Sequence, residues 1–172
     1  MELLKNLSLH TATLNGHSAI NQQLIAGLNT YIDHESTLKS HHFAGRYENI
    51  YINADQIPAI SQVLNATRQF AAHILNRPAK KLKAGLWFNV MNPGDKTTLH
   101  RHDDDDELLS GVYYVQVAEN SGTLLFEMSR VQTRVNPEEG LFVFFSPDMP
   151  HEVTENRSPQ CRVSLGINIG PA

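Results

Sequence analysis

The chain has 172 residues, of which 41% are hydrophobic, and a formal net charge of −4, which is enough for one domain with a full core. Its charges are mixed in sign, and it lacks both the basic stripe of a nucleic-acid-binding protein and an apolar run of the roughly 20 residues that span a membrane. The start of the chain has no signal-peptide pattern and the single cysteine, Cys161, excludes an internal disulfide, so we expect a cytoplasmic protein without nucleic-acid or membrane partners.

The first predicted elements are a short strand and an amphipathic helix. Residues 7–13 are partly apolar and contain threonine, which is compatible with an edge strand. Asn15-Gly16 predicts a turn. From Ser18 to about Ile32, apolar residues recur at spacings of three and four, which is the period of an amphipathic helix.

A polar segment separates this helix from a second one. Residues 33–50 are predicted to form a loop, and His41 and His42 within it are interpreted as exposed, because adjacent residues cannot easily aim two rings at one ion. Pro58 then occupies a favoured position for the first turn of a helix. The apolar spacing of that helix continues to Leu75, and Pro78 follows its end.

Beyond residue 80, the period of the apolar residues changes to two. Residues 82–91 alternate in this way, and Asn92-Pro93-Gly94 turns the chain. Further strands, separated by turns, are predicted at residues 111–118, 123–128, 132–135, 141–145, 151–154 and 161–169. Two helices followed by seven or eight short strands predict a barrel or sandwich with the helices packed outside. We expect one domain over residues 1–172, with supporting elements in 1–80 and the β core in 81–172.

Three histidines are candidate metal ligands. His100 and His102 follow the turn at Gly94 as the chain enters a strand, and side chains two residues apart in a strand share one face. A loop delivers His151 to the start of a later strand. Three ligands on one side of an ion leave the opposite positions open, which suits iron that must bind oxygen and substrate.

The last predicted strand has one apolar face and one polar face. Arg162, Ser164, Gly166 and Asn168 form the polar face. If that face points into a barrel, Arg162 is buried, and an unpaired buried charge costs several kcal/mol. A bound carboxylate would satisfy it, because guanidinium matches carboxylate in a two-pronged geometry, and Ser164 can add a hydroxyl. The alternative is a solvent-facing arginine on an edge strand.

The run Asp103 to Asp106 with Glu107 places five acidic residues together. Like charges about 4 Å apart repel by roughly 1 kcal/mol per pair in water, and by more when partly buried. We therefore expect an exposed loop at the mouth of the site. It is either a solvated segment or a surface that receives a basic substrate or a second cation.

Several motifs together resemble the Fe(II)- and 2-oxoglutarate-dependent oxygenases, and above all a bacterial branch with a His-x-His and a Ser-Gly-Val-Tyr-Tyr strand. The resemblance extends from about Trp87 to Ile169. Its motifs are Trp87-Phe-Asn89, Gly94 followed by His100-x-His102, Ser110-Gly-Val-Tyr-Tyr114, Pro137-Glu-Glu-Gly140, Leu141-Phe-Val-Phe-Phe-Ser146, His151-x-Val153, Asn156, Arg162-x-Ser164 and Asn168-Ile169. The resemblance implies a double-stranded β-helix, or jelly roll, with the two amino-terminal helices packed outside.

The same resemblance implies a set of functional residues. His100 and His151 would bind Fe(II), while Arg162 and Ser164 would hold the distal carboxylate of 2-oxoglutarate. Asn89 and Tyr114 are further candidates for contacts with this cosubstrate. The implied chemistry is oxidative decarboxylation of 2-oxoglutarate by O2, coupled to hydroxylation of a C–H bond.

One departure from the superfamily pattern concerns the second ligand. Most members have Asp or Glu where this chain has His102. The sequence spacing between Gly94 and His100 is the one commonly seen between the turn glycine and the first ligand, which favours a site of three histidines, His100, His102 and His151. Counting back from Ser110 instead allows the pair His102-x-Asp104, which would restore a site of two histidines and one carboxylate. We prefer the three-histidine site.

Two other classes of protein fit parts of the pattern. Gly94-x5-His100-x-His102-x4-Glu107 also resembles the first motif of the cupins, in which Glu107 would be a fourth ligand and 2-oxoglutarate would not be needed. A non-catalytic binding barrel with inherited motifs is the third interpretation. The substrate, a small molecule or a peptide, is not readable from the sequence, and barrels of this size often form homodimers through sheet edges or helices.

Overall fold

The computed structural model describes residues 9–102, 106–128 and 131–172. Two helices, α1 and α2, and strands β1 to β11 are found in these ranges. In chain order the elements are β1 His10–Thr13, α1 His17–Tyr31, β2 Leu38–Phe43, β3 Arg46–Tyr51, α2 Ala59–Ile74, a short 3-10 helix Ala79–Lys81, β4 Leu82–Met91, β5 Thr97–His100, β6 Leu109–Gln116, β7 Leu124–Met128, β8 Val131–Val135, β9 Leu141–Phe145, β10 His151–Val153 and β11 Arg162–Pro171.

The strands form two antiparallel sheets. The large sheet has seven strands in the order β1-β9-β6-β11-β4-β3-β2, and the small sheet has four in the order β5-β10-β7-β8. An apolar cluster that includes Tyr114 and Val143 of the large sheet and Phe126 of the small sheet packs between them. Two antiparallel sheets packed face to face form the double-stranded β-helix that the family resemblance implies.

The helices cover the other face of the large sheet. Successive residues of a strand point to opposite faces, so Phe142 and Phe144 of β9 pack in the helix-side cluster, whereas Val143 and Phe145 pack between the sheets. The Phe70 ring of α2 lies 5.4 Å from the Phe142 ring, measured between centroids. The two predicted helices are confirmed, with ends that differ by one or two residues. No helix in the described ranges is long and apolar enough to cross a membrane.

The prediction of a loop at residues 33–50 is wrong. The strands β2 and β3 form a hairpin in this segment, with Leu38 paired to Tyr51 and Phe43 paired to Arg46. The hairpin extends the large sheet at its β4 side, where Ile50 pairs with Phe88. Ile50 is the buried residue of the two strands, and one buried residue gives no alternation that a sequence pattern could reveal.

A second correction concerns the strand that carries the first two histidines. β5 ends at His100, so His102 lies beyond the strand instead of two residues along it. Its backbone N–H donates to the carbonyl of Pro147 at 2.9 Å, which ties this segment to the loop before His151. The shared position of the two rings therefore depends on a loop contact as well as on the pleat of a strand.

Candidate active site

The three predicted histidines converge at one end of the space between the sheets. His151, the first residue of β10, pairs directly with His100, the last residue of β5. The ring of His151 lies 4.3 Å from that of His100 and 5.4 Å from that of His102, between centroids. One ligand nitrogen from each residue lies within 4.8 Å of the other two. This arrangement can hold one metal ion.

Hydrogen bonds fix which nitrogen of each ring is free. His100 Nδ1 lies 2.8 Å from the Thr98 carbonyl, and His151 Nδ1 lies 2.9 Å from the Met149 carbonyl. His102 Nδ1 lies 3.1 Å from Glu107 Oε1. Because these oxygens accept hydrogen bonds, each Nδ1 carries the proton and donates, and each Nε2 keeps the lone pair that a metal needs.

Burial keeps His151 neutral. Its side chain lies in the interior, and this desolvation lowers its pKa from 6.5 to about 4, against the opposing effect of the Met149 carbonyl. The neighbouring rings of His100 and His102 act in the same direction as burial. A neutral imidazole is the form that coordinates a metal.

The predicted cosubstrate residues lie on the large sheet and face the histidines. Arg162 and Ser164 of β11 and Asn89 of β4 line the same cavity as the three rings. Ser164 pairs with Asn89 on one side and with Tyr114 of β6 on the other. The four residues therefore form one continuous patch across three neighbouring strands.

The guanidinium of Arg162 is buried, with 1% of the residue exposed. Its Nη1 donates to the carbonyls of Gly122 at 3.1 Å and Ser121 at 3.5 Å, and its Cζ lies 5.2 Å from the centre of the Tyr114 ring. Within the described ranges no carboxylate forms a salt bridge with Arg162. The alternative of a solvent-facing arginine on an edge strand is wrong, because β11 lies inside the sheet.

Two buried polar atoms at this position have no hydrogen-bond partner among the described residues, namely Nε of the Arg162 guanidinium and the oxygen of the neighbouring Tyr114 hydroxyl. Burial lowers the pKa of Arg162 and raises that of Tyr114, while the nearby guanidinium acts in the opposite direction on the Tyr114 hydroxyl. Buried polar groups are normally satisfied. An anion placed here would satisfy both donors and neutralise the buried charge, so the residues fit a carboxylate.

The hairpin of β2 and β3 forms a wall of the site that the sequence analysis missed. Glu48 and Asn49 line the cavity. Arg46 is held by an ion pair with Glu48 at 2.9 Å, and its Nη2 donates to Thr97 Oγ1 at 3.2 Å. Its Nη1 donates to Asn89 Oδ1 at 3.4 Å. In the sequence, the opposite charges of Arg46 and Glu48, two residues apart, were the pattern that could have indicated a strand with an ion pair on one face.

Other candidates from the sequence do not join the histidine cluster. Among the described residues, the cluster contains neither His41 nor His42, and it does not include Glu107. The Glu107 carboxylate instead contacts the ring of His102, which does not favour a fourth-ligand role of the cupin type. Asp104 and the rest of the segment 103–105 lie outside the described residues, so the pair His102-x-Asp104 stays an untested prediction.

A comparison with known families places the carboxy-terminal half of the sequence beside one family of oxygenases. The profile of the 2OG-Fe(II) oxygenase superfamily matches residues 86–170, the segment that contains all three histidines and the Arg162 patch. No curated protein matches the sequence of this chain.

Solved structures of similar fold cover nearly the whole chain. A prolyl-4-hydroxylase from Pseudomonas putida is 17% identical, with 97% of this chain and 89% of that one covered and a TM-score of 0.69. A Trichoplax adhaerens prolyl hydroxylase in complex with a peptide fragment of hypoxia inducible factor is 13% identical, with coverages of 97% and 85% and a TM-score of 0.72. The epimerase SnoN, in complex with Fe3+, alpha ketoglutarate and nogalamycin RO, is 10% identical, with coverages of 96% and 80% and a TM-score of 0.73.

Proposed function

Because this chain belongs to the 2OG-Fe(II) oxygenase superfamily, whose members are oxidoreductases that use Fe(II) and 2-oxoglutarate, we propose that it hydroxylates a C–H bond of a small molecule or a peptide. In this proposal His100, His102 and His151 hold the iron, and Arg162 binds the distal carboxylate of 2-oxoglutarate. The observation that carries the proposal is a single cavity lined by three imidazoles and by a buried arginine without a carboxylate partner in the described residues.

The donor set supports this use of the histidines. Three imidazole nitrogens would hold the ion through part of its coordination sphere and would leave the remaining positions for cosubstrate and dioxygen. When bound, the iron supplies the activation of dioxygen that drives decarboxylation of 2-oxoglutarate. The chain's own contribution is to hold the three rings in one orientation and in the tautomer with the proton on Nδ1, through the acceptors on Thr98, Met149 and Glu107.

The patch on the large sheet supports the assignment of the cosubstrate site. The Arg162 guanidinium offers planar donors to a carboxylate, among them the unpartnered Nε, and the Tyr114 hydroxyl is an additional donor. Ser164 and Asn89 flank them on the cavity wall. A cosubstrate whose carboxylate is held by Arg162 would occupy the cavity that the guanidinium and the three imidazoles line together.

The position of the cavity opening is consistent with a substrate that enters past the hairpin of β2 and β3. An outer pocket continues from the histidines, and Tyr51, Trp87 and His41 line it. The rings of Tyr51 and Trp87 lie 6.3 Å apart between centroids. The described residues at the mouth combine aromatic surface with hydrogen-bonding groups, which suits both a peptide and a small organic molecule, the two kinds of ligand that accompany the similar structures.

Uncoupled turnover tests the proposal without knowledge of the substrate. Metal-free protein loaded with Fe(II) under anaerobic conditions and then given 2-oxoglutarate and oxygen is expected to form succinate. The variants His151→Ala and Arg162→Met are expected to form none above the background of free iron, whereas Glu138→Gln, an exposed carboxylate on a turn, serves as the control and keeps wild-type turnover. Equal succinate formation by the wild type and His151→Ala would contradict the proposal.

A further inference from the structure

We infer that Glu107 is a positioning residue of the metal centre, which holds the His102 ring in place and supplies through it the negative charge that three neutral ligands lack. The inference rests on the proposed function, because it assumes that the histidines bind a divalent ion. It concerns a carboxylate that lies next to the ligand set and does not belong to it.

The Glu107 carboxylate is buried and rigidly held. Its side chain is 4% exposed, and Oε1 accepts a hydrogen bond from the Ser110 hydroxyl at 2.5 Å as well as lying 3.1 Å from His102 Nδ1. The Ser110 Oγ also lies 3.0 Å from that nitrogen. Ser110 is fully buried on β6, and the Leu108 N–H donates to the Ile169 carbonyl of β11 at 2.7 Å. Two strands of the large sheet therefore fix the carboxylate against the ring.

The Glu107 carboxylate and a metal ion would share the His102 ring. The hydrogen bonds described for Glu107 Oε1 join it to the Ser110 hydroxyl and to Nδ1 of that ring. A divalent cation on Nε2 of the same ring would be compensated in part by the carboxylate on the Nδ1 side, which lowers the net charge that the site must bury.

The three rings differ in the acceptors that orient them. The acceptors for His100 and His151 are neutral backbone carbonyls, so a carbonyl is enough to fix a tautomer. Among the described residues, Glu107 is the charged acceptor of the triad. His102 also occupies the position at which the superfamily pattern has a carboxylate ligand. In this chain the carboxylate acts one side chain further out, through the imidazole.

Titration of Co(II) into the metal-free protein by calorimetry tests the inference without any catalytic turnover. Removing a carboxylate partner of a ligand histidine typically costs about 10- to 100-fold in metal affinity, so we expect that loss in Glu107→Ala. Glu107→Gln keeps an oxygen that accepts the His102 N–H but has no charge, and we expect a smaller loss that remains clearly measurable. The visible spectrum of bound Co(II) should shift in both variants, because the electron density on the ring changes.

Two controls separate the possible failures. Glu138→Gln removes an exposed carboxylate of the same type and should keep wild-type affinity, whereas His151→Ala should lose measurable binding. If His151→Ala binds as the wild type does, the ligand set of the proposed function is wrong. If His151→Ala loses binding but Glu107→Gln keeps wild-type affinity and spectrum, the inference about Glu107 is overturned while the ligand set stands. Should Glu107→Ala fail to fold, the near-isosteric Glu107→Gln decides alone.

Discussion

Replacing Arg162 with methionine separates the binding role of the buried guanidinium from its structural role. Methionine keeps much of the length and volume of the side chain but removes its charge and donors. The wild-type guanidinium is 1% exposed and, within the described residues, has backbone carbonyls as its hydrogen-bond acceptors. We expect the variant to lose 2-oxoglutarate binding and to keep nearly all of its stability.

The magnitudes follow from the contacts. One donor bond of Arg162, at 3.1 Å to the Gly122 carbonyl, is of ordinary length, and the other, at 3.5 Å to Ser121, is marginal. Hydrogen bonds from charged donors contribute about 1.5–3 kcal/mol to the free energy of unfolding, and their loss destabilises the variant. Removal of an unpaired buried charge has the opposite effect, because it removes a desolvation cost of several kcal/mol. The free energy of unfolding should therefore change by less than about 2 kcal/mol. Loss of one partner of a buried charge pair costs about 2–5 kcal/mol in binding, which weakens 2-oxoglutarate binding by roughly 30-fold to several thousandfold.

Arg46 provides the matched comparison, because it is a second arginine on the cavity wall but has acidic partners. Its side chain is 9% exposed and contacts Glu48 at 2.9 Å and Asp95 at 3.7 Å. Arg46→Met should lower the unfolding free energy by about 3 kcal/mol, since it leaves a partly buried carboxylate unpaired. Urea denaturation of the metal-free proteins and calorimetric titration of 2-oxoglutarate into the Co(II)-loaded proteins measure both quantities. The reasoning is refuted if Arg162→Met is the less stable variant and still binds 2-oxoglutarate as the wild type does.

Three further predictions concern the rest of the described structure. Burial lowers the pKa of His151 from 6.5 to about 4, so the unfolded chain binds more protons than the folded chain between these two pH values. As the pH falls from 7 to 4, the free energy of unfolding of the metal-free wild type should therefore decrease by about 3 kcal/mol more than that of His151→Asn. Urea denaturation at each pH measures this difference. Gly122 has a φ of 98°, and a Cβ there would lie 2.5 Å from the Thr154 carbonyl and 3.1 Å from Arg162 Nη1. Gly122→Ala should therefore lower both the free energy of unfolding and the affinity for 2-oxoglutarate. An unchanged affinity would show that the Arg162 guanidinium is not displaced or is not needed for binding. Phe142 is fully buried, and Phe142→Ala should lower the free energy of unfolding by about 3–5 kcal/mol without changing Co(II) affinity.

The sequence predicts the elements whose apolar residues recur with a clear period. The helix α2 shows this best, because Ile60, Val63, Thr67 and Ala71 are buried at spacings of three and four. The polar face of β11 is equally readable, since Arg162 and Ser164 alternate with Val163 and Leu165 in a strand that is buried on both sides. In both elements the apolar residues recur with the period of the secondary structure, 3.6 in the helix and two in the strand.

Where the pattern of burial is set by partners distant in sequence, the prediction fails. The hairpin of β2 and β3 is mostly polar and lies at the end of the large sheet, so its place beside the cavity depends on Arg46, whose partners Thr97 and Asn89 lie more than 40 residues away. Glu107 is the same kind of case. Its position in an acidic run suggests a solvated loop, but its side chain is 4% exposed because it turns inward to Ser110.

The register of β11 ties the fold and the candidate site to the same alternation of residues. Val163 and Leu165 pack on the helix side of the large sheet, while Arg162 and Ser164 line the cavity. A slip of one residue in the pairing of β11 with β4 and β6 would reverse every side chain, and would place the guanidinium among the apolar residues under the helices. Burying a charge there without a partner costs several kcal/mol. The arginine proposed to bind the cosubstrate therefore also disfavours the alternative register, so the same side chain contributes to the proposed site and to the specificity of the fold.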